Sequence, residues 1–276
     1  MTQRLKLLYP EWQGCHNPQV HASTLWLAAG ISDRNDCLII DTPEQESIGK
    51  IDGVFGLDSI APRFERALQN LSEANPSHLL MIGGTCGAEA APIAYLNKRY
   101  SGEVAVVWLD AHSDLNTPTS SPSGRFHGMV LRTLLGDGPA SYTSKIKRPL
   151  IPSQIFLAGV RDLDPPEQVF ISAANIPIFS PLDQTSTQRL VEAIATAGFE
   201  KIYIHVDVDV LNPASFPDSL MPTPGGPSIQ DLEHCILALT NAFDAVGISI
   251  VEYCGSSEAS RQLLLDLMSN CGIHIA

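Results

Sequence analysis

Asp110, His112 and Asp114 follow one another at two-residue spacing, directly after the apolar run Val104–Leu109. Alternate side chains of an extended chain face the same way, so all three project together from one strand end. A second run, residues 202–206, delivers Asp207 and Asp209 at the same spacing. Four carboxylates and an imidazole that converge on strand ends repel one another unless a cation sits among them. The bland alternative is a set of solvated turn-forming acids. Acids placed straight after six apolar strand residues are hard to hydrate separately, which argues against it. Four oxygen donors and one nitrogen, without a thiolate majority, favour a hard ion such as Mn2+ over structural zinc. The carboxylates outnumber what one octahedral ion needs. A pair of ions bridged by shared aspartates is therefore expected, able to hold a hydroxide nucleophile at neutral pH.

The surrounding pattern says what positions these groups. Apolar, β-branched runs at 37–40, 79–82, 104–109, 155–160, 202–206 and 246–251 each predict a strand buried on both faces. Helix-period segments alternate with them. Ile60, Phe64, Leu68 and Leu71 step along one face. Leu232, Cys235, Ile236 and Leu239 do so behind a capping pattern at Ser228 and Asp231, and Leu190, Val191, Ile194 and Ala197 lead to a stop at Gly198. This alternation predicts a three-layer α/β/α fold with a mainly parallel central sheet, as a single domain over residues 1–276. Two long polar loops, 110–125 and 207–227, begin where strands end. That is where open parallel sheets bind ligands.

Composition narrows the function classes. Against 30 acidic residues stand 17 basic ones, a formal net charge of −13. That balance excludes sequence-independent nucleic-acid binding and docking on anionic lipid. No apolar run reaches the ~18 residues of a membrane span, and the amino terminus lacks a secretory core. Six scattered cysteines with no CxxC pair predict free thiols and a cytoplasmic setting.

Several ordered blocks resemble the arginase or ureohydrolase family over most of the chain. They are WLDAHSDLNTPTSSPSGRFHG (108–128), AGVRDLDPPE (158–167), HVDVDVLNP (205–213) and SIVEYCG (249–255). The resemblance implies two Mn2+ ions per subunit, bridged by Asp110 and Asp207. His112 and Asp209 would complete one ion, and Asp114 the other while orienting the bridging hydroxide. It implies that His127 is a proton shuttle to the leaving amine and that Glu252 holds the guanidinium. Asn116, Ser121 and Ser123 would bind the α-carboxylate of an amino-acid substrate and Asp164 its α-amino group. Taken alone, that loop reads as a run of turn formers. The family also implies a homo-oligomer, a trimer or hexamer.

One position departs from the family. Its first ligand block reads Gly-Gly-Asp-His, whereas here Gly83 and Gly84 precede Thr85 and Cys86. Cys86 is either a softer thiolate ligand that weakens one ion or a small buried residue ending a ligand-free turn. A weakened pair suits a more reactive substrate. An N-hydroxyguanidine is less basic than guanidine, so the expected reaction is hydrolysis of Nω-hydroxy-L-arginine to hydroxyurea and L-ornithine. Ordinary arginase activity, a catalytically inactive subunit and a mononuclear deacetylase are the rivals.

Overall fold

The apolar runs form one sheet in which every described pairing is parallel. The computed structural model describes residues 3–31 and 37–272. In chain order the first elements are β1 (Arg4–Tyr9), α1 (Gln19–Ala29), β2 (Cys37–Ile39), a hairpin of β3 (Lys50–Ile51) and β4 (Val54–Phe55), and α2 (Leu57–Ala74). Then come β5 (His78–Gly83), α3 (Ala90–Arg99), β6 (Val104–Leu109), α4 (Val130–Leu134), α5 (Ala140–Thr143) and β7 (Ile155–Ala158). The chain continues through α6 (Pro165–Ala174), β8 (Ile178–Phe179), α7 (Gln184–Thr196), β9 (Lys201–Asp207), α8 (Ile229–Ala242), β10 (Asp244–Val251) and α9 (Glu258–Asn270). The eight-stranded sheet has the order β2-β1-β5-β10-β9-β6-β7-β8.

Strand alternation builds the three layers. On β6, Val104, Val106 and Trp108 pack into one core with Phe64 and Leu71 of α2 and Ile93 of α3. Ala105, Val107 and Leu109 point the other way, against Leu190 of α7, Leu232 and Leu239 of α8 and Leu264 of α9. The mainly parallel α/β/α expectation therefore holds. So does the capping pattern, since Ser228 Oγ accepts from the Asp231 amide at 3.2 Å while Asp231 Oδ2 accepts from the Ser228 amide at 3.3 Å.

Two strand expectations need correction. The run at 37–40 is not buried on both faces: β2 is the edge strand, and Ile39 is 54% exposed. The run at 155–160 ends as a strand at Ala158 because Gly159 takes φ of 87° and turns the chain. Sequence patterning also passed over β1, which pairs with both β2 and β5. Its Arg4 and Lys6 interrupt the apolar signal, and only its last three residues are buried.

Candidate metal centre and active-site cleft

Four adjacent strands in the middle of the sheet, β5, β10, β9 and β6, end side by side. Their carboxyl ends carry Cys86, Glu252, the pair Asp207 and Asp209, and the series Asp110, His112 and Asp114. The chain enters β5, leaves for β6 and only later fills the gap with β9 and β10. Residues far apart in sequence are thereby brought to one point.

Asp110, Asp114, Asp207 and Asp209 are all buried, at 5% exposure or less. His112 Nδ1 lies 3.0 Å from Asp209 Oδ2 and 3.6 Å from Asp110 Oδ1. Burial opposes the charged imidazole, but hydrogen bonds to Asp110 and Asp209 and their charges prevail and lift it to about 12. Burial, reinforced by the charge of Asp110, pushes Asp209 up to about 7 against the His112 interaction. Asp110 moves the other way. Burial opposes its ionisation, yet hydrogen bonds from His112 and His205 hold it well below the usual carboxylate range. Burial and neighbouring carboxylates drive Asp114 and Asp207 upward. Asp110 apart, these shifts run one way: the pocket retains protons that a cation would have to displace.

The turn after β5 brings Cys86 into this cluster. A Cβ on Gly84 would collide with the Glu11 backbone, so only glycine lets the turn approach that segment. The buried Cys86 thiol donates to Asp207 Oδ2 at 3.2 Å, and the Cys86 amide donates to Glu252 Oε1 at 2.8 Å. Burial and the surrounding carboxylates raise that thiol well above its ordinary value. Position 86 is thus part of the cluster. His127 Nδ1 sits 3.2 Å from the same Glu252 oxygen.

Whether these residues fit a cation can be tested on their unmet bonding. Asp114 Oδ2 and Glu252 Oε2 are buried with no hydrogen-bond partner among the described residues, a costly state for carboxylate oxygens unless something positive meets them. Donor atoms of Asp110, His112 and Asp209 lie within 4.8 Å of one another, as do those of Cys86, Asp110, Asp114 and His205, and those of Cys86, Asp207 and Glu252. The buried, oxygen-rich set fits hard divalent ions. Asp110 belongs to two of these groups, as a bridging ligand must. Asp207 falls in a separate group from Asp110, because its Oδ1 accepts from the Asp209 amide at 2.7 Å while its Oδ2 meets the thiol.

A cleft of about 240 Å³ opens over the cluster, lined by Asn116, Ser121, Ser123, His127 and Asp164 together with Cys86, His112, Asp114, Asp207 and Asp209. Asn116 Nδ2 donates to Asp164 Oδ2 at 2.8 Å, so two of the expected substrate residues are already joined. Ser121 and Ser123 face each other across 3.4 Å. Glu252 stands behind the cleft at 1% exposure.

Some residues carry more than the sequence pattern assigned to them. Glu167 is buried and accepts from Ser113 Oγ at 2.8 Å, the Leu115 amide at 2.9 Å and the Asp164 amide at 2.9 Å, fixing the loop after β6 to the start of α6. Its signal was its place three residues after Asp164, a capping-box spacing. Arg161 ties the loop at 207–227 down through the Asp209, Thr223 and Pro224 carbonyls at 2.7–2.9 Å. His205 also faces the cluster, and a period-two count back from Asp207 would have found it.

Fold and site define a parallel α/β protein with acidic strand ends that could hold a metal. The profile of the Arginase family matches residues 20–268, and the chain belongs to that family of hydrolases. An arginase of Staphylococcus aureus strain MRSA252 is 27% identical over 230 residues, covering 80% of this chain and 76% of that protein. An arginase of Entamoeba histolytica is 32% identical over 181 residues, which span 63% of this chain and 61% of that protein. The crystal structure of Entamoeba histolytica arginase in complex with L-ornithine superposes with a TM-score of 0.89 at 23% identity, covering 99% of each chain. Among the described residues no helix is long and apolar enough to cross a membrane.

Proposed function

We propose that this chain, one arginase-like domain, hydrolyses the guanidino C–N bond of an α-amino acid, with Nω-hydroxy-L-arginine as the preferred substrate and hydroxyurea and L-ornithine as products. The observation that carries this reading is that two buried carboxylate oxygens have no partner among the described residues: Asp114 Oδ2, on an acid lining the polar cleft, and Glu252 Oε2, on the acid that His127 contacts. Two Mn2+ ions, held by Asp110, His112, Asp114, Asp207 and Asp209 with Cys86, would supply a water-derived nucleophile at neutral pH.

The protein's own groups do the rest. Glu252 Oε2 is free to accept an N–H of the guanidinium, since Oε1 is engaged by the Cys86 amide and His127. Asp114 Oδ2 is free to accept from the attacking water and orient it toward the guanidino carbon. As the C–O bond forms and the C–N bond breaks, His127 gives a proton to the departing δ-amine of ornithine. Asn116, Ser121 and Ser123 bind the α-carboxylate and Asp164 the α-amino group, which fixes the reacting carbon over the cluster.

Choice of the N-hydroxy substrate rests on Cys86. A protonated, buried thiol is a poorer donor than imidazole, and a less basic guanidine needs less help. The substitution resembles that of the Nω-hydroxy-L-arginine amidinohydrolase of D-cycloserine biosynthesis. We place the protein in the cytoplasm, as a trimer or hexamer. Steady-state rates on both substrates test the reading. A higher kcat/KM for the hydroxy form supports it, and a preference for L-arginine would move the assignment to arginase.

A further inference from the structure

We propose that His205 is itself a metal ligand, with Nε2 supplying a nitrogen donor to the ion shared by Cys86, Asp110 and Asp114. This inference rests on the functional reading above and extends its ligand set. His205 lies on β9 two residues before Asp207, so both side chains leave the strand on one face. Its ring is fully buried and stacks on Trp108, its cross-strand neighbour, with centroids 3.5 Å apart and planes at 10°. Nδ1 lies 3.0 Å from Glu89 Oε1, and the other oxygen of Glu89 accepts from Tyr203 Oη at 2.6 Å. Nε2 faces the cluster, 3.4 Å from Asp110 Oδ2 and 3.9 Å from Cys86 Sγ.

A carboxylate on the far nitrogen is how proteins fix the tautomer of a metal-binding histidine, placing the proton on Nδ1 and the lone pair on Nε2. The fully buried Glu89 is committed to that position, because its two oxygens serve Tyr203 and His205. Trp108 clamps the ring while its own Nε1 donates to Asp110 Oδ2 at 3.0 Å, so one side chain positions both ligands. His205 thereby adds one nitrogen donor from β9, while position 86 keeps the weaker thiol.

Crystals grown with Mn2+ and examined by anomalous diffraction at the manganese edge test this directly. The expected result is a manganese peak at bonding distance from His205 Nε2, together with Cys86, Asp110 or Asp114. Equilibrium dialysis with Mn2+ should find His205→Ala binding one ion per chain where the parent binds two. Manganese bonded elsewhere in the cluster, with Nε2 still turned to Asp110 as a donor, overturns the inference and leaves the functional reading intact. Failure of the parent chain to bind any Mn2+ overturns both.

Discussion

Asp114 and Glu252 share one state: each has left-handed backbone, with φ of 51° and 63°, and each buries a carboxylate oxygen that has no partner among the described residues. Left-handed backbone costs a non-glycine residue about 1–2 kcal/mol, so something must hold it there. The Leu131 and Arg132 amides donate to the Asp114 carbonyl at 3.1 and 3.2 Å. Glu252 donates its amide to Gly84 at 2.8 Å and accepts from the Leu220 amide at 3.0 Å. Two acids from distant parts of the chain are thus fixed against their local preference, Asp114 on the cleft wall and Glu252 behind it.

Glu252→Gln should therefore weaken substrate capture more than it disturbs the fold. It keeps the shape but exchanges a charge-assisted bond for a neutral one about half as strong, a loss of about 1–1.5 kcal/mol, or roughly 5–10-fold in kcat/KM. Steady-state kinetics check this; an unchanged kcat/KM would show that Glu252 does not touch the guanidinium.

Cys86→His should raise Mn2+ affinity, since imidazole is a better donor than a thiol held protonated by burial. It should also move the preference toward L-arginine. Calorimetric titration with Mn2+ reads the first effect and competition between the two substrates the second. Unchanged manganese binding would place Cys86 outside the coordination sphere.

His127→Ala should lower kcat by about 10²–10⁴-fold, the usual contribution of a positioned acid or base. Its contact is with Glu252, not with the aspartates, so manganese content should stay at the parental value. Loss of metal in this variant would mean that His127 supports the centre and does not shuttle a proton.

Acidity governs both metal and fold. Asp209 near 7, His205 near 9 and His112 near 12 hold protons that Mn2+ must displace, so affinity should climb about tenfold per pH unit for each group while the pH is below its own value. With the metal stripped, stability should run the other way. The raised values mean that the folded chain binds more protons than the unfolded one. The Asp209 contribution is lost between its ordinary value, about 4, and 7, and that of His205 as pH rises through 9. Thermal melts in chelator should give a Tm that falls from about pH 6 to 9 and recovers on adding Mn2+. A Tm that rises with pH would contradict the buried, proton-holding cluster.

Much of the site is legible in the sequence because strand ends announce it. Asp110 and Asp207 follow apolar runs too uniform to be loops, and period-two spacing then names their partners. His205 keeps the same period-two spacing but lies inside the strand, where a polar residue reads as an interruption. Its neighbours Glu89 and Trp108 come from other elements, and only the register of β6 against β9 brings the rings together. Glu167 is hidden differently, since its capping position explains it without any link to Ser113. β1 is lost to its charged first half. Pairing between distant segments is what the linear pattern omits.

The most direct test is the number of Mn2+ ions bound per chain, counted by elemental analysis after dialysis, in the parent and in Asp110→Ala, with both guanidino substrates assayed on the same samples. The parent should hold two ions and hydrolyse Nω-hydroxy-L-arginine. Asp110→Ala should lose metal and more than ~100-fold of the activity, beyond the loss typical for a residue that only supports a ligand. A parent chain that binds no manganese, or an Asp110→Ala variant as active as the parent, would contradict the account at its centre.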